Sequence, residues 1–198
     1  MRRIETLALL ALLPVCARAQ GGVQNMDLYL GFGGTPIHAQ PVAGTSTTLS
    51  SSVAADASFA YDYQISHWSN ASLWIEFPIS YQASHQRSSA LPGNVELDST
   101  FLTPGVRFVV PVQTRVSVYG AAGGGGGFYQ VPVLTGTGLL ASTNPAHGVV
   151  DFAGGVDFRV NRTFSLRVQV RDFVSGHHLS GVAGVNHIVP TVGLAYHF

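Results

Sequence analysis

Apolar residues recur at every second position in a series of short segments along this chain. In TFSLRVQVRDF, Phe164, Leu166, Val168 and Val170 share one face of an extended strand, and Ser165, Arg167, Gln169 and Arg171 take the other. A helix would scatter both sets around its circumference. GVVDFAGGVDFRV, just before it, repeats the pattern. Val150, Phe152, Gly154, Val156, Phe158 and Val160 stand opposite Asp151, Ala153, Gly155, Asp157 and Arg159. Asn161-Arg162 between the two predicts a tight hairpin. Six further segments read as strands: MDLYLGFGG, ADASFAYDYQIS, SLWIEFPISYQ, FLTPGVRFVV, RVSVYGAAGGGGGFY and HIVPTVGLAYHF. The last alternates through Ile188, Pro190, Val192, Leu194 and Tyr196 to Phe198.

Eight such strands are separated by two kinds of connection. Those near residues 66–71, 111–114 and 161–162 are short, and those near 35–52, 83–98, 130–147 and 175–187 are longer and rich in Ser, Thr, Gly, Pro, Asn and His. Long and short alternate strictly. That is the asymmetry of an up-and-down transmembrane barrel with tight turns on one side of the membrane and loops on the other. The expected fold is therefore all-β, an eight-stranded antiparallel up-and-down transmembrane β-barrel.

Composition sharpens this picture. Charged residues make up 10% of the chain, against roughly 25% in soluble domains. There is no lysine. No stretch reaches the roughly 20 apolar residues of a membrane-spanning helix. If the apolar faces meet lipid, the opposite faces fill the lumen of the barrel. That inner set comprises Asp56, Asp62, Glu76, Asp151 and Asp157 with Arg107, Arg159, Arg167 and Arg171. Buried charges of both signs, nearly balanced, predict a structural network of ion pairs that blocks a wide channel. The alternation alone leaves the other assignment open: a soluble, lipocalin-like barrel whose apolar face is its core. Aromatic residues near strand ends, such as Tyr63, Phe108, Phe158, Phe164 and Tyr196, favour the membrane, where they form interfacial girdles.

The first residues form a separate unit. Arg2 and Arg3 precede an apolar stretch from Leu7 to Val15, and Ala17 and Ala19 suit a signal peptidase. Residues 1–19 are the expected leader and residues 20–198 the barrel domain. Cys16 within LPVC is an alternative lipid-attachment site, which Val15 suits poorly. Without the leader, seven arginines face nine carboxylates and no cysteine remains. There is then no disulfide framework and no electrostatic footprint for nucleic acid.

The ending VGLAYHF resembles the terminal signature of bacterial outer-membrane barrels, in which Tyr196 and Phe198 would act as the assembly signal. With the leader and the eight strands, the chain resembles the small OmpA/OmpX-like outer-membrane β-barrel family. The resemblance implies an outer-membrane location, contact with outer-membrane lipids and lipopolysaccharide, and insertion by the barrel assembly machinery. It implies a non-enzymatic role in envelope structure or surface contacts, without a cofactor. The alternatives are a small pore or hydrophobic-compound conduit of the OmpW-like kind, and a PagL-like lipid A-modifying enzyme. His178-Leu179-Ser180 echoes part of the PagL-type site, but no acidic residue follows Asp172 to orient the histidine. The run Gly123 to Gly127 lacks the Lys-Ser/Thr of a phosphate loop and predicts a strand that bends or admits close neighbours. His147, His177, His178 and His187 lie in or beside the long connections, without metal-site spacing. His67 and Trp68 read as interfacial anchors.

Overall fold

The computed structural model describes residues 25–37, 40–41, 48–49, 52–87, 94–129, 131–134, 140–143, 146–175 and 186–198. The leader at 1–19, Cys16, His177 and the His178–Ser180 pair lie outside the described residues. Eight long strands form the barrel. They are β1 (Met26–Ile37), β2 (Ser52–Trp68), β3 (Ala71–Arg87), β4 (Asn94–Leu102 continued by Gly105–Gln113), β5 (Val116–Tyr129), β6 (Ala146–Arg159), β7 (Phe164–Val174) and β8 (Asn186–His197). Each pairs antiparallel with its neighbour in sequence, and β8 pairs with β1 from Asp27↔His197 to Gly33↔Thr191. The sheet closes on itself, which removes its edges. The Phe198 N–H donates to the Met26 carbonyl at 2.9 Å and adds one more bond to this seam.

The strands run further than the alternation predicted. β2 and β3 stay paired to Trp68↔Ala71, leaving Ser69-Asn70 as the turn, and β4 reaches Gln113 before Thr114-Arg115. Extra residues near these ends, between Gln64 and Ser66 and between Pro111 and Gln113, shift the register and obscure the period of two. On the loop side, β3 continues to Arg87 and β4 begins at Asn94, inside the stretch expected as a connection. Two further ladders lie in the other long connections: Gln40–Pro41 with Thr48–Leu49, and Val131–Leu134 with Leu140–Thr143. The turn between β6 and β7 occupies Val160 to Thr163 rather than two residues. Asn161 Oδ1 accepts from the Thr163 and Phe164 N–H groups, both at 2.8 Å, so a side chain fixes the reversal.

The glycine run belongs to β5, and the structure shows what it accommodates. β4 breaks at Thr103-Pro104, where Pro104 has no N–H, next to Pro78 of β3, which has none either. The register on both sides of the break is unchanged, from Gly105↔Gly123 to Leu102↔Gly126. The Gly124 N–H donates to the Pro104 carbonyl at 3.1 Å, and carbonyls of β4 crowd β5. A Cβ at Gly125 would collide with the Leu102 carbonyl, and one at Gly123 with Asp151 and the Thr103 carbonyl. Gly123 and Gly125 are glycine because a neighbouring backbone occupies the space.

Exposure settles which face is inside. Phe32 is 60% exposed and Leu194 55%, whereas Arg107 and Arg167 are 0% exposed. Leu30, Phe77, Val106, Phe108, Phe152, Val168, Val170 and Val192 also face outward. The molecule is apolar outside and charged inside, the inverse of a soluble barrel. A continuous apolar exterior of this kind needs a hydrocarbon solvent.

Candidate functional site

The lumen holds two packed layers and, below them, a cavity. The layer next to the cavity is ionic, and the strand register builds it. Asp27 of β1 lies directly opposite Asp62 of β2, which lies opposite Glu76 of β3. Three carboxylates in a row across neighbouring strands repel one another. They are held by arginines from other walls of the barrel. Arg107 of β4 places Nη2 3.0 Å from Asp27 and 2.9 Å from Asp62. Arg167 of β7 reaches Asp62 at 3.2 Å, and its Nε donates to Asp157 of β6 at 2.7 Å. Arg171 of β7 donates to Glu76 at 2.7 Å and to Asp151 of β6. Each arginine thus spans at least two strands.

Aromatic rings line the same layer. The Arg107 guanidinium lies 5.2 Å from the Trp74 ring and 5.3 Å from that of Tyr119, and Arg167 lies 5.0 Å from Tyr29. These contacts suit the weakly hydrated guanidinium, which tolerates burial better than an ammonium. Tyr119 donates to Gln169 at 2.8 Å, and Tyr29 bonds Thr191 at 3.0 Å.

Above this layer, toward the long connections, the lumen becomes aromatic. Phe101 stacks on Phe173 with centroids 4.3 Å apart, and Tyr129 meets Phe101 edge-on at 5.6 Å. Val149 and Val189 complete the cluster, and His187 packs against Phe101 and Tyr129. At the opposite end, by the short turns, lies a cavity of about 270 Å³. Asp27, Trp74, Arg107, Asp157, Ser165 and His197 are among its walls, and Arg115 and Arg159 stand at its rim.

The structure gathers Asp62, Asp157, Arg107 and Arg167 into one ion-paired cluster with Asp27, and Glu76, Asp151 and Arg171 into a second beside it. It leaves two expected members apart. Asp56 is buried but meets no arginine; it accepts from Thr35 Oγ1 at 2.7 Å and faces Gln82 of β3. Arg159 is exposed, because it ends β6 at the rim, where an inward direction already leads to water. Asp27 and His197 belong to the lumen and were missed. The signal was present: Asp27 alternates with Leu28, and His197 sits between Tyr196 and Phe198. His67 and Trp68 are the exposed last residues of β2 rather than a turn, and Trp68 lies 6.3 Å from Phe108. No group of three or more metal-binding side chains occurs among the described residues.

Closure of eight strands, an apolar outside and a plugged ionic inside define a small transmembrane β-barrel. Solved structures of this kind are its counterparts. Neisserial surface protein A aligns with a TM-score of 0.60 at 13% identity, covering 90% of this chain and 100% of that one. OprG of Pseudomonas aeruginosa, an outer-membrane protein, gives 0.55 at 13% identity, covering 89% and 96%. Ail, the attachment invasion locus protein of Yersinia pestis, gives 0.53 at 15% identity, covering 88% and 99%. The chain has the fold of the small outer-membrane barrels. No family model and no curated protein matches its sequence.

Proposed function

We propose that the protein resides in a bacterial outer membrane as a non-conducting barrel that contributes to envelope structure and surface contacts through its long connections. The observation that carries this reading is the doubly sealed lumen. An ion-paired layer and a stacked aromatic layer lie one above the other, with Arg107, Arg167, Phe101 and Phe173 all fully buried. A hydrophobic-compound conduit would need an apolar or hydrated passage where these side chains lie. Outer-membrane lipids and lipopolysaccharide would surround the apolar face, and the barrel assembly machinery would insert the chain. The surface role finds a parallel in Ail, whose name records attachment and which has been seen with a heparin analogue.

Single-channel recording in planar bilayers tests the sealed lumen. The expected trace shows no steady conductance above the bare membrane. A sustained open level at low voltage would replace this reading with that of a small pore. Gel mobility of isolated outer membranes with and without boiling tests the location. A folded barrel there shifts on boiling, and recovery in the soluble fraction without a shift would overturn the proposal.

A further inference from the structure

The cavity at the short-turn end holds a second arrangement, independent of the surface role. Ser165 Oγ lies 2.7 Å from His197 Nε2, and His197 Nδ1 lies 2.6 Å from Asp27 Oδ1. The register accounts for the alignment. His197 is the direct cross-strand partner of Asp27 on β1, and on β7 Ser165 pairs with Ala195, one diagonal step from His197. Three adjacent strands therefore present a hydroxyl, an imidazole and a carboxylate in line. All three residues line the cavity of about 270 Å³, and its rim residues Thr114, Arg115 and Arg159 are exposed. Asp27 Oδ2 is held by Arg107 at 3.0 Å, which leaves Oδ1 directed at the imidazole.

We propose that Ser165, His197 and Asp27 form a hydrolytic centre at this mouth of the barrel, acting on small anionic carboxylic esters. A serine, a histidine and a carboxylate within hydrogen-bond reach in this order are the geometry of an activated nucleophile, whatever fold presents them. With the Nδ1 proton held by Asp27, Nε2 is free to take the proton of Ser165. The Oγ then bonds to the ester carbonyl carbon, and the carbonyl π pair moves onto its oxygen. Collapse of that adduct breaks the bond to the alcohol oxygen, which leaves with the proton from His197. Water, deprotonated by the same Nε2, cleaves the acyl-serine, releases the carboxylate and restores the Ser165 hydroxyl. Arg115 and Arg159, exposed at the rim of the same cavity, supply positive charge for an anionic substrate. The volume admits a small molecule. Asp27 acts as a positioning residue, through the imidazole.

The test uses the full chain refolded in detergent micelles, with boiling-dependent gel mobility as the check on folding. A fluorophosphonate probe at millimolar concentration is the reporter, with the adduct mapped by mass spectrometry. Hydrolysis of 4-nitrophenyl acetate and of mono-4-nitrophenyl succinate is followed in parallel. The expected result is an adduct on Ser165 in the folded band and faster turnover of the succinate ester. Ser165→Ala and His197→Gln should each lower turnover at least about 100-fold. Asp27→Asn should lower kcat with little change in KM, and Asp27→Glu should recover part of it. If those variants fail to fold, adduct mapping on the unaltered protein decides alone. A folded barrel that takes no probe on Ser165, or hydrolysis that persists without that adduct, would overturn the proposal and leave a purely structural hydrogen-bonded chain. Neither result bears on the conductance test, so the two readings fail separately.

Discussion

At the scale of single residues, the lumen separates charges that are needed from charges that are merely present. Arg167 touches Asp62 and Asp157 and is wholly buried, so Arg167→Met leaves both carboxylates to share Arg107 alone. The expected loss is about 3–5 kcal/mol, read as a lower urea midpoint for the folded barrel in detergent. Adding Asp157→Asn should return part of that loss, since the remaining group is neutral. Arg159→Ala at the exposed rim should shift the midpoint by less than about 0.5 kcal/mol. Parity in the sequence placed Asp62, Glu76, Arg107, Asp151 and Arg167 on one face, because a strand has only two faces. It gave no pairing, since Arg167 meets Asp62 across 105 residues through closure of the barrel. Asp27 and His197 obey the same parity, but a reading led by apolar positions attends to Leu28 and Tyr196 instead.

At the scale of elements, β5 and the seam make opposite demands. Gly123 and Gly125 of β5 yield space to β4, so Gly125→Val, aimed at the Leu102 carbonyl, should abolish the boiling-dependent gel shift. Gly148→Ala on β6, where an added Cβ would have nothing within 4 Å, should leave that shift intact. The sequence showed that the glycine run tolerates close approach; what approaches it is fixed by Pro78 and Pro104 meeting across β3 and β4. On the seam, Phe198 bonds the Met26 carbonyl and meets the Tyr196 ring edge-on at 4.6 Å. Deleting Phe198 should reduce the fraction of protein recovered as folded barrel in outer membranes; full recovery would remove Phe198 from any part in assembly. The strand count was readable because long and short connections alternate. Strand ends were not, because bulges and loop-side ladders break the period just where the membrane no longer enforces it.

At the scale of the whole molecule, the outward apolar face and the sealed interior follow from one rule, that each strand sends alternate side chains to two different solvents. The acidic row on β1, β2 and β3 extends that rule to the time before closure. Those three strands carry no arginine between Met26 and Gln86. Their counter-ions arrive with β4 and β7, the latter about a hundred residues later, as the spacing of Arg171 from Glu76 at 95 positions shows. A sheet that has formed only its first hairpins therefore carries Asp27, Asp62 and Glu76 with no arginine beside them. The row is fully paired only when the far strands swing round and the cylinder shuts. The charge pattern thus ties full pairing of the acidic row to completion of the ring.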